Sequence, residues 1–209
     1  MNDDGGRVSF PTPRTGQARC QCRVTCSGSM DKHQFWQLIE AAREQERDLG
    51  DGEHARAVAR RASELLASRA VEEIVAAQQV LWDLMAESYT SPLWAAAYLT
   101  NGGCSDDGFD YFRGWLVAQG PDVFAQVVAD PDSLAGLPVV RAAAAEGFEF
   151  ECESVLGIAW NAHIKATGRQ LPDNAFTIRY EALDPDWGFD FDDQGEMTRR
   201  LPRLAALYF

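Results

Sequence analysis

The chain of 209 residues suits one domain, and its hydrophobic content of 46%, with six Trp and eleven Phe, is enough to build a substantial core. A formal net charge of −13 repels nucleic acid, and no apolar run approaches the roughly 20 residues that span a bilayer. We therefore expect an acidic, soluble, cytoplasmic protein with neither a nucleic-acid nor a membrane partner.

The first 29 residues differ in composition from the rest of the chain. Four Arg and two Asp give them a charge of +2, which leaves −15 for residues 30–209. They are rich in Gly, Pro, Ser and Thr and show no apolar periodicity. We expect residues 1–29 to be a disordered tail or upstream sequence read as protein, with Met30 as the natural start. Residues 30–209 are then expected to form a single domain.

A helical period dominates from residue 31 onwards. Asp31 is a good N-cap and Gln34 lies at the third helical position, which is the pattern of a capping box. Pro92 and Pro121 each suit the first turn of a helix. The apolar spacing predicts helices near residues 31–47, 53–67, 69–89, 92–100, 105–119, 121–129 and 152–167.

The C-terminal part shows a different periodicity. Apolar and polar residues alternate along 176–180, and aromatic residues alternate along 187–191 after a loop that contains Pro and Asp. This pattern predicts a short β-hairpin, which must pack on the helices because an isolated hairpin is marginal in water. The last nine residues are apolar enough to dock on the core. The predicted fold is mostly α: a compact multi-helix domain with a short C-terminal β-hairpin packed on it.

The fifth predicted helix has an acidic N-terminus. Ser105 can cap this helix, and Asp106 and Asp107 lie in its first turn, where the helix dipole favours negative charge. Asp110 follows Asp106 by one turn, and Arg113 comes next on the same face. The carboxylates could serve metal or acid–base chemistry, or they could be a capped turn with a surface ion pair. We favour the second interpretation, because two carboxylates without a histidine or third acid are a weak metal signal.

Gly114 interrupts the same helix between Arg113 and Trp115. Glycine in a helix interior costs about 0.8–1.0 kcal/mol relative to alanine. We therefore expect another group to approach the helix closely at this point. A neighbouring helix is the favoured candidate, ahead of an aromatic ring or a ligand.

A second constellation lies in the last predicted helix. Glu153, Trp160 and His163 lie on or beside one face, and an acid near a histidine can perform general acid–base catalysis. No recognisable motif places a serine or cysteine nucleophile with them, and a histidine bonded to a carbonyl or an acid is the commoner arrangement. The chain also lacks nucleotide-binding, metalloprotease and hydrolase motifs. We predict no catalytic residue, metal or cofactor.

Three segments carry a family resemblance. Residues 35–42 (FWQLIEAA), 91–120 (SPLWAAAYLTNGGCSDDGFDYFRGWLVAQG) and 129–134 (ADPDSL) resemble an uncharacterised bacterial family, catalogued as domain of unknown function forty-two-forty. The resemblance covers residues 30–165 and leaves the N-terminal leader outside. It implies no reaction, cofactor or catalytic residue.

Two hypotheses for the function follow. The favoured one is a non-enzymatic protein-interaction or regulatory module, because the chain is acidic and has no catalytic motif. The alternative is an enzyme or small-ligand binder that uses a cleft at the helix 105–119. The candidate residues for that cleft are Asp106, Asp107, Asp110, Arg113, Gly114, Trp115, Glu153, Trp160 and His163.

Overall fold

A computed structural model describes residues 29–46 and 51–209, with side chains described from residue 53 in the second range. The predicted leader, apart from its last residue, lies outside these ranges. The described residues are mostly helical, as expected. The α-helices are α1 (Lys32–Gln45), α2 (Asp51–Leu66), α3 (Val71–Glu87), α4 (Ser91–Asn101), α5 (Asp106–Ala118), α6 (Pro121–Ala129), α7 (Pro138–Glu146), α8 (Ile158–Thr167), α9 (Gln194–Arg200) and α10 (Pro202–Tyr208). Short 3-10 helices span Pro131–Gly136, Glu153–Val155 and Pro185–Trp187.

The start of α1 confirms the predicted capping box. The backbone N–H of Gln34 donates to Asp31 Oδ1 at 2.7 Å, and the backbone N–H of Asp31 donates to Gln34 Oε1 at 3.0 Å. Two backbone donors that the first turn leaves unpaired are satisfied in this way. The local sequence is therefore sufficient to define this end of the helix.

The helix predicted near 152–167 is shorter in the structure. A 3-10 turn at Glu153–Val155 comes first, and α8 begins only at Ile158. The backbone N–H of Cys152 donates to the carbonyl of Tyr111 in α5 at 2.9 Å. This bond ties the segment to α5 and keeps residue 152 out of the helix.

The helix α5 lies at the centre of the helical core. Every residue from Phe112 to Ala118 is buried, and α5 packs against α2, α3, α4 and α6. The buried apolar side chains form one continuous cluster that extends from Met30 to Ala205. Burial of each large apolar side chain contributes about 1.5–3 kcal/mol, so this cluster is the main source of stability. Among the described helices, none is long and apolar enough to cross a bilayer.

The predicted C-terminal β-hairpin is wrong, because the described residues contain no β-strand. Residues 176–184 have no regular secondary structure, and a 3-10 turn begins at Pro185. The backbone of Thr177 instead pairs with a side chain. Its N–H donates to Gln79 Oε1 at 2.8 Å, and its carbonyl accepts from Gln79 Nε2 at 3.2 Å. Gln79 in α3 thus takes the place of a neighbouring strand. We call residues 172–184 the strap.

The last two helices dock on the core, as the apolar tail predicted. Leu201, Leu204 and Ala205 are buried, and α10 packs against α4, α7 and the 3-10 helix Pro131–Gly136. The buried carboxylate of Asp132 accepts hydrogen bonds from the backbone N–H of Leu204 at 2.8 Å and of Arg203 at 3.0 Å. Asp132 therefore caps the N-terminus of a helix about 70 residues further along the chain.

The carboxylate of Glu196 in α9 provides a test of this region by pH titration. It accepts hydrogen bonds from Arg199 and Arg200, and these bonds lower its pKa from an ordinary value of 4.5 to about 2. Because the pKa is lower in the folded state, the stabilisation is present above about pH 4.5 and is lost as the pH falls toward 2. We expect carboxyl-carbon NMR to give a midpoint near 2, and Arg199→Met to raise it. In the control variant Arg169→Met the titration midpoint of Glu196 should be the same as in the unmodified protein. A midpoint near the ordinary value of 4.5 in the unmodified protein would contradict the prediction.

Candidate functional site

The helix α5 carries a buried arginine beside a half-buried aspartate. Arg113 is only 1% exposed, and its Nη2 donates to Asp110 Oδ1. Its Nη1 donates to the carbonyl of Met85, and its Nε donates to the carbonyl of Phe109 at 3.3 Å. All three guanidinium nitrogens therefore have acceptors within the protein.

Aromatic rings complete the surroundings of Arg113. The guanidinium carbon lies 4.6 Å from the ring centroid of Phe109 and 5.0 Å from that of Tyr89, and Tyr180 of the strap packs edge-on against Tyr89. Desolvation lowers the pKa of Arg113 and raises the pKa of Asp110 above its ordinary value. The guanidinium stays charged, because arginine is not deprotonated in proteins and the adjacent Asp110 carboxylate favours the charged form. The result is a buried cation held by one carboxylate, two carbonyls and two aromatic faces.

The close approach predicted at Gly114 is confirmed. A Cβ atom at this position would lie 2.5 Å from the carbonyl oxygen of Cys152. The neighbour is thus the backbone just before a 3-10 helix, and not the α-helix that the sequence favoured. Trp115, the next residue, is buried with its ring centroid 4.6 Å from that of Phe150. Gly114 and Trp115, two of the nine residues of the predicted cleft, are therefore packed inside the core.

The other acidic residues of α5 lie at its exposed N-terminus. Ser105 Oγ accepts a hydrogen bond from the backbone N–H of Gly108 at 3.1 Å, as expected of an N-cap. Asp106 and Asp107 are exposed in the first turn. Their position matches the favourable interaction of carboxylates with the positive end of the helix dipole.

The residues of the second constellation lie on different segments. Glu153 is exposed on a 3-10 turn, whereas His163 is buried in α8, with Nδ1 2.9 Å from the carbonyl oxygen of Arg169. Trp160 is half-buried one turn earlier in α8. Within the described ranges, no hydrogen bond, ion pair or ring contact joins these residues to Asp110 or Arg113. A cleft shared by all nine candidates remains a prediction.

The two described cysteines are free thiols. Burial, with a smaller contribution from Glu151, raises the pKa of Cys104 to about 12. Burial also raises the pKa of Cys152. Such thiols stay protonated near neutral pH and are weak nucleophiles. In the part of the chain that the structure describes, no group of three or more His, Cys, Asp or Glu side chains is arranged to hold a metal ion.

A groove of about 400 Å³ opens between the ends of α4 and α7 and the C-terminal residues. Its lining includes five aromatic residues, Tyr98, Phe148, Phe191, Tyr208 and Phe209, together with Glu149 and Asp192. We call this set the aromatic groove. Phe148 is 38% exposed and Phe209 is 57% exposed, so both residues are open to solvent. The sequence did not indicate this groove, because its residues come from four separate segments.

Several groups with negative charge or partial negative charge surround the aromatic groove. The C-cap residues of α4 and α7, Gly102 and Gly147, both line it, and each has a positive φ. The C-terminal ends of helices carry partial negative charge, so two such ends meet here. Asp192 Oδ1 accepts a hydrogen bond from the Tyr98 hydroxyl at 2.7 Å, and this bond raises the pKa of Tyr98. Glu149 adds a second carboxylate. Aromatic faces beside negative groups are suited to binding a cation.

Comparison with known proteins places the chain in a family. Neither the curated proteins nor the solved structures include a significant match to it. A family model described as "Protein of unknown function (DUF4240)" matches residues 30–165. The match runs from α1 into α8 and leaves the strap, α9 and α10 outside. Because it covers more than half of the chain and confirms the resemblance seen in the sequence, the protein belongs to the DUF4240 family of proteins of unknown function.

Proposed function

We propose that the protein is a non-enzymatic interaction module that binds a basic segment of a partner protein in the aromatic groove. The observation that carries this proposal is that five aromatic residues, two acidic residues and two helix C-termini line one cavity. The net charge of −13 adds a long-range attraction for a basic partner and raises the rate of encounter.

The groove suits the side chain of arginine or lysine. A cation over an aromatic face gains about 0.5–1 kcal/mol when exposed and about 2 kcal/mol when desolvated. The carbonyl groups at the ends of α4 and α7 can accept hydrogen bonds from the same cation. The volume of about 400 Å³ lies at the lower end of the range for ligand pockets, so the groove accommodates a few side chains of a larger partner.

The contacts of α5 favour this proposal over a catalytic cleft. Every nitrogen of Arg113 is bonded within the protein, so the guanidinium has little capacity left for a substrate. His163 bonds a carbonyl close to its own helix, and the thiol of Cys104 is protonated at neutral pH. Asp106 and Asp107 lie in the first turn of α5, where carboxylates have an adequate structural role without any catalysis.

The test is binding of an acetylated Gly-Arg-Gly-Arg-Gly peptide, with the citrulline peptide as its uncharged control. We expect the arginine peptide to shift the NMR signals of the Gly102 and Gly147 amides. The double variant Glu149→Gln/Asp192→Asn should weaken binding by about 3- to 10-fold, because two exposed carboxylates are lost.

Glu40→Gln/Glu72→Gln is the matched charge control, since both glutamates are exposed, on α1 and α3, and neither lines the groove. This variant should bind the arginine peptide as the unmodified protein does. Equal binding of the citrulline peptide, or shifts confined to residues outside the groove, would refute the proposal.

A further inference from the structure

The strap is held by a side chain that recognises peptide backbone. Gln79 both donates to and accepts from the backbone of Thr177, at 3.2 and 2.8 Å. Gln79 Nε2 also donates to Asp83 Oδ1 at 2.9 Å, which orients the amide. Because every non-proline residue offers the same N–H and carbonyl groups, this pairing would hold other peptide segments equally well.

Side-chain contacts continue along α3 and into the turn that follows it. Phe176 stacks on Trp82 with ring centroids 6.1 Å apart and planes 8° apart. Arg179 Nη2 donates to Asp83 Oδ1 at 2.8 Å, and Tyr180 packs on Tyr89 at 5.0 Å between centroids. The strap makes these contacts with four residues on the surface of the helical domain, which we call the α3 track: Gln79, Trp82, Asp83 and Tyr89.

The strap fills the α3 track incompletely. Tyr180 is 58% exposed, and all residues from 177 to 184 are exposed. The Asp83–Arg179 ion pair is largely solvent-exposed and contributes little. The indole Nε1 of Trp82 is buried, and no described residue accepts a hydrogen bond from it. A segment with few buried groups and exposed hydrogen bonds opens at low free energy.

The region that the family model matches includes the α3 track but not the strap. The whole α3 track lies within residues 30–165, whereas the whole strap lies beyond residue 165. The contact surface therefore belongs to the matched family region, and its occupant belongs to the C-terminal extension of this chain.

We propose that the α3 track is a second peptide-binding site, which the strap occupies in cis. Its occupant in trans is a partner segment that repeats the strap's pattern of an aromatic residue followed, three residues on, by a basic and then an aromatic residue. The segment pairs its backbone with Gln79 and displaces the strap. Because a tethered segment acts at an effective concentration of the order of millimolar, the strap masks the site until such a partner competes.

The test uses a fluorescent peptide of residues 172–184 as the probe and the full chain as the receptor. The variant Phe176→Ala/Tyr180→Ala should release the strap and bind the peptide at least tenfold more tightly than the unmodified protein. Adding Gln79→Ala should reverse this gain, because the peptide loses its backbone partner. A scrambled peptide should not bind either protein.

A second variant guards against misfolding. Thr177→Pro removes the N–H that donates to Gln79 and changes only an exposed residue of the strap, so it should give the same gain in affinity. Hydrogen exchange should show rapid exchange in the strap and continued protection of α3. Equal peptide binding by the released variants and the unmodified protein would overturn the proposal. The released variants could also dimerise in a way that the peptide does not inhibit. That result would assign the α3 track to a second copy of the chain and would also overturn the proposal.

Discussion

Asp110→Ala is expected to lower the free energy of unfolding by about 3 kcal/mol, because it leaves a buried guanidinium without its counter-charge. Arg113 is 1% exposed, so water cannot replace the lost carboxylate without opening the core. The shift should be measured by urea denaturation monitored through tryptophan fluorescence. Glu87→Ala is the matched control: it removes one partner of the exposed Lys32–Glu87 ion pair and should cost less than about 1 kcal/mol.

The double variant Asp110→Ala/Arg113→Met separates the ion pair from general packing. Replacement of both buried charges by apolar groups is often close to neutral, whereas removal of one partner is not. We therefore expect the double variant to be more stable than Asp110→Ala alone by at least about 1 kcal/mol. Additive losses would show that Asp110 stabilises α5 through some contact other than Arg113.

Gly114→Ala is expected to destabilise the fold by about 2 kcal/mol, because overpacking costs about 1–3 kcal/mol and here the obstacle is backbone. The new methyl group would lie 2.5 Å from the carbonyl oxygen of Cys152. That carbonyl cannot rotate aside as a flexible side chain would, so the segment that follows must move away from α5. The better helix propensity of alanine offsets about 1 kcal/mol of the clash.

The control for this prediction is Gly136→Ala. A Cβ atom at Gly136 would meet nothing within 4 Å, and the residue does not have a positive φ. The free energy of unfolding of the Gly136→Ala variant should differ from that of the unmodified protein by no more than about 0.5 kcal/mol. In thermal melts the Gly114 variant should lose about 4–8 °C relative to this control. Equal melting temperatures would show that the backbone around Cys152 adapts without cost.

The helices α1 to α6 could be predicted from the sequence, because their stabilising patterns are local. An apolar stripe repeats every 3.6 residues, and the capping box at Asp31 involves residues three positions apart. The predicted bounds agree with the structure to within a few residues. By contrast, α7, α9 and α10 were not predicted. The last two are seven residues long, too short for periodicity to be decisive, and α10 is capped by the distant Asp132.

The predicted hairpin shows the limit of local patterns. Alternation along 176–180 indicates only that side chains point in alternate directions, whereas a strand also needs a partner for its backbone. That partner is Gln79, 98 positions away, and it is a side chain. Nothing in the alternating residues themselves distinguishes these two kinds of backbone partner.

Gly114 illustrates the same division within the candidate site. Its place in a helix interior was sufficient to predict a close approach, since glycine there is unfavourable unless something requires it. The identity of the neighbour, the carbonyl of Cys152, depends on how the chain returns to α5. Likewise, Asp110 and Arg113 could be paired from their spacing, but their burial under Tyr89 could not be predicted.

The sequence by itself determined the family, the acidic charge and the helices around α5, because composition, motif and helical period are properties of neighbouring residues. Only the tertiary structure decided which distant residues come together on the two surfaces for which we propose a binding role. The aromatic groove unites residues of α4, the turn after α7, the segment after the strap and α10. The α3 track is recognised as a contact surface only because the strap packs on it. Both surfaces depend on contacts between distant segments, which form only when burial of the shared core brings those segments together.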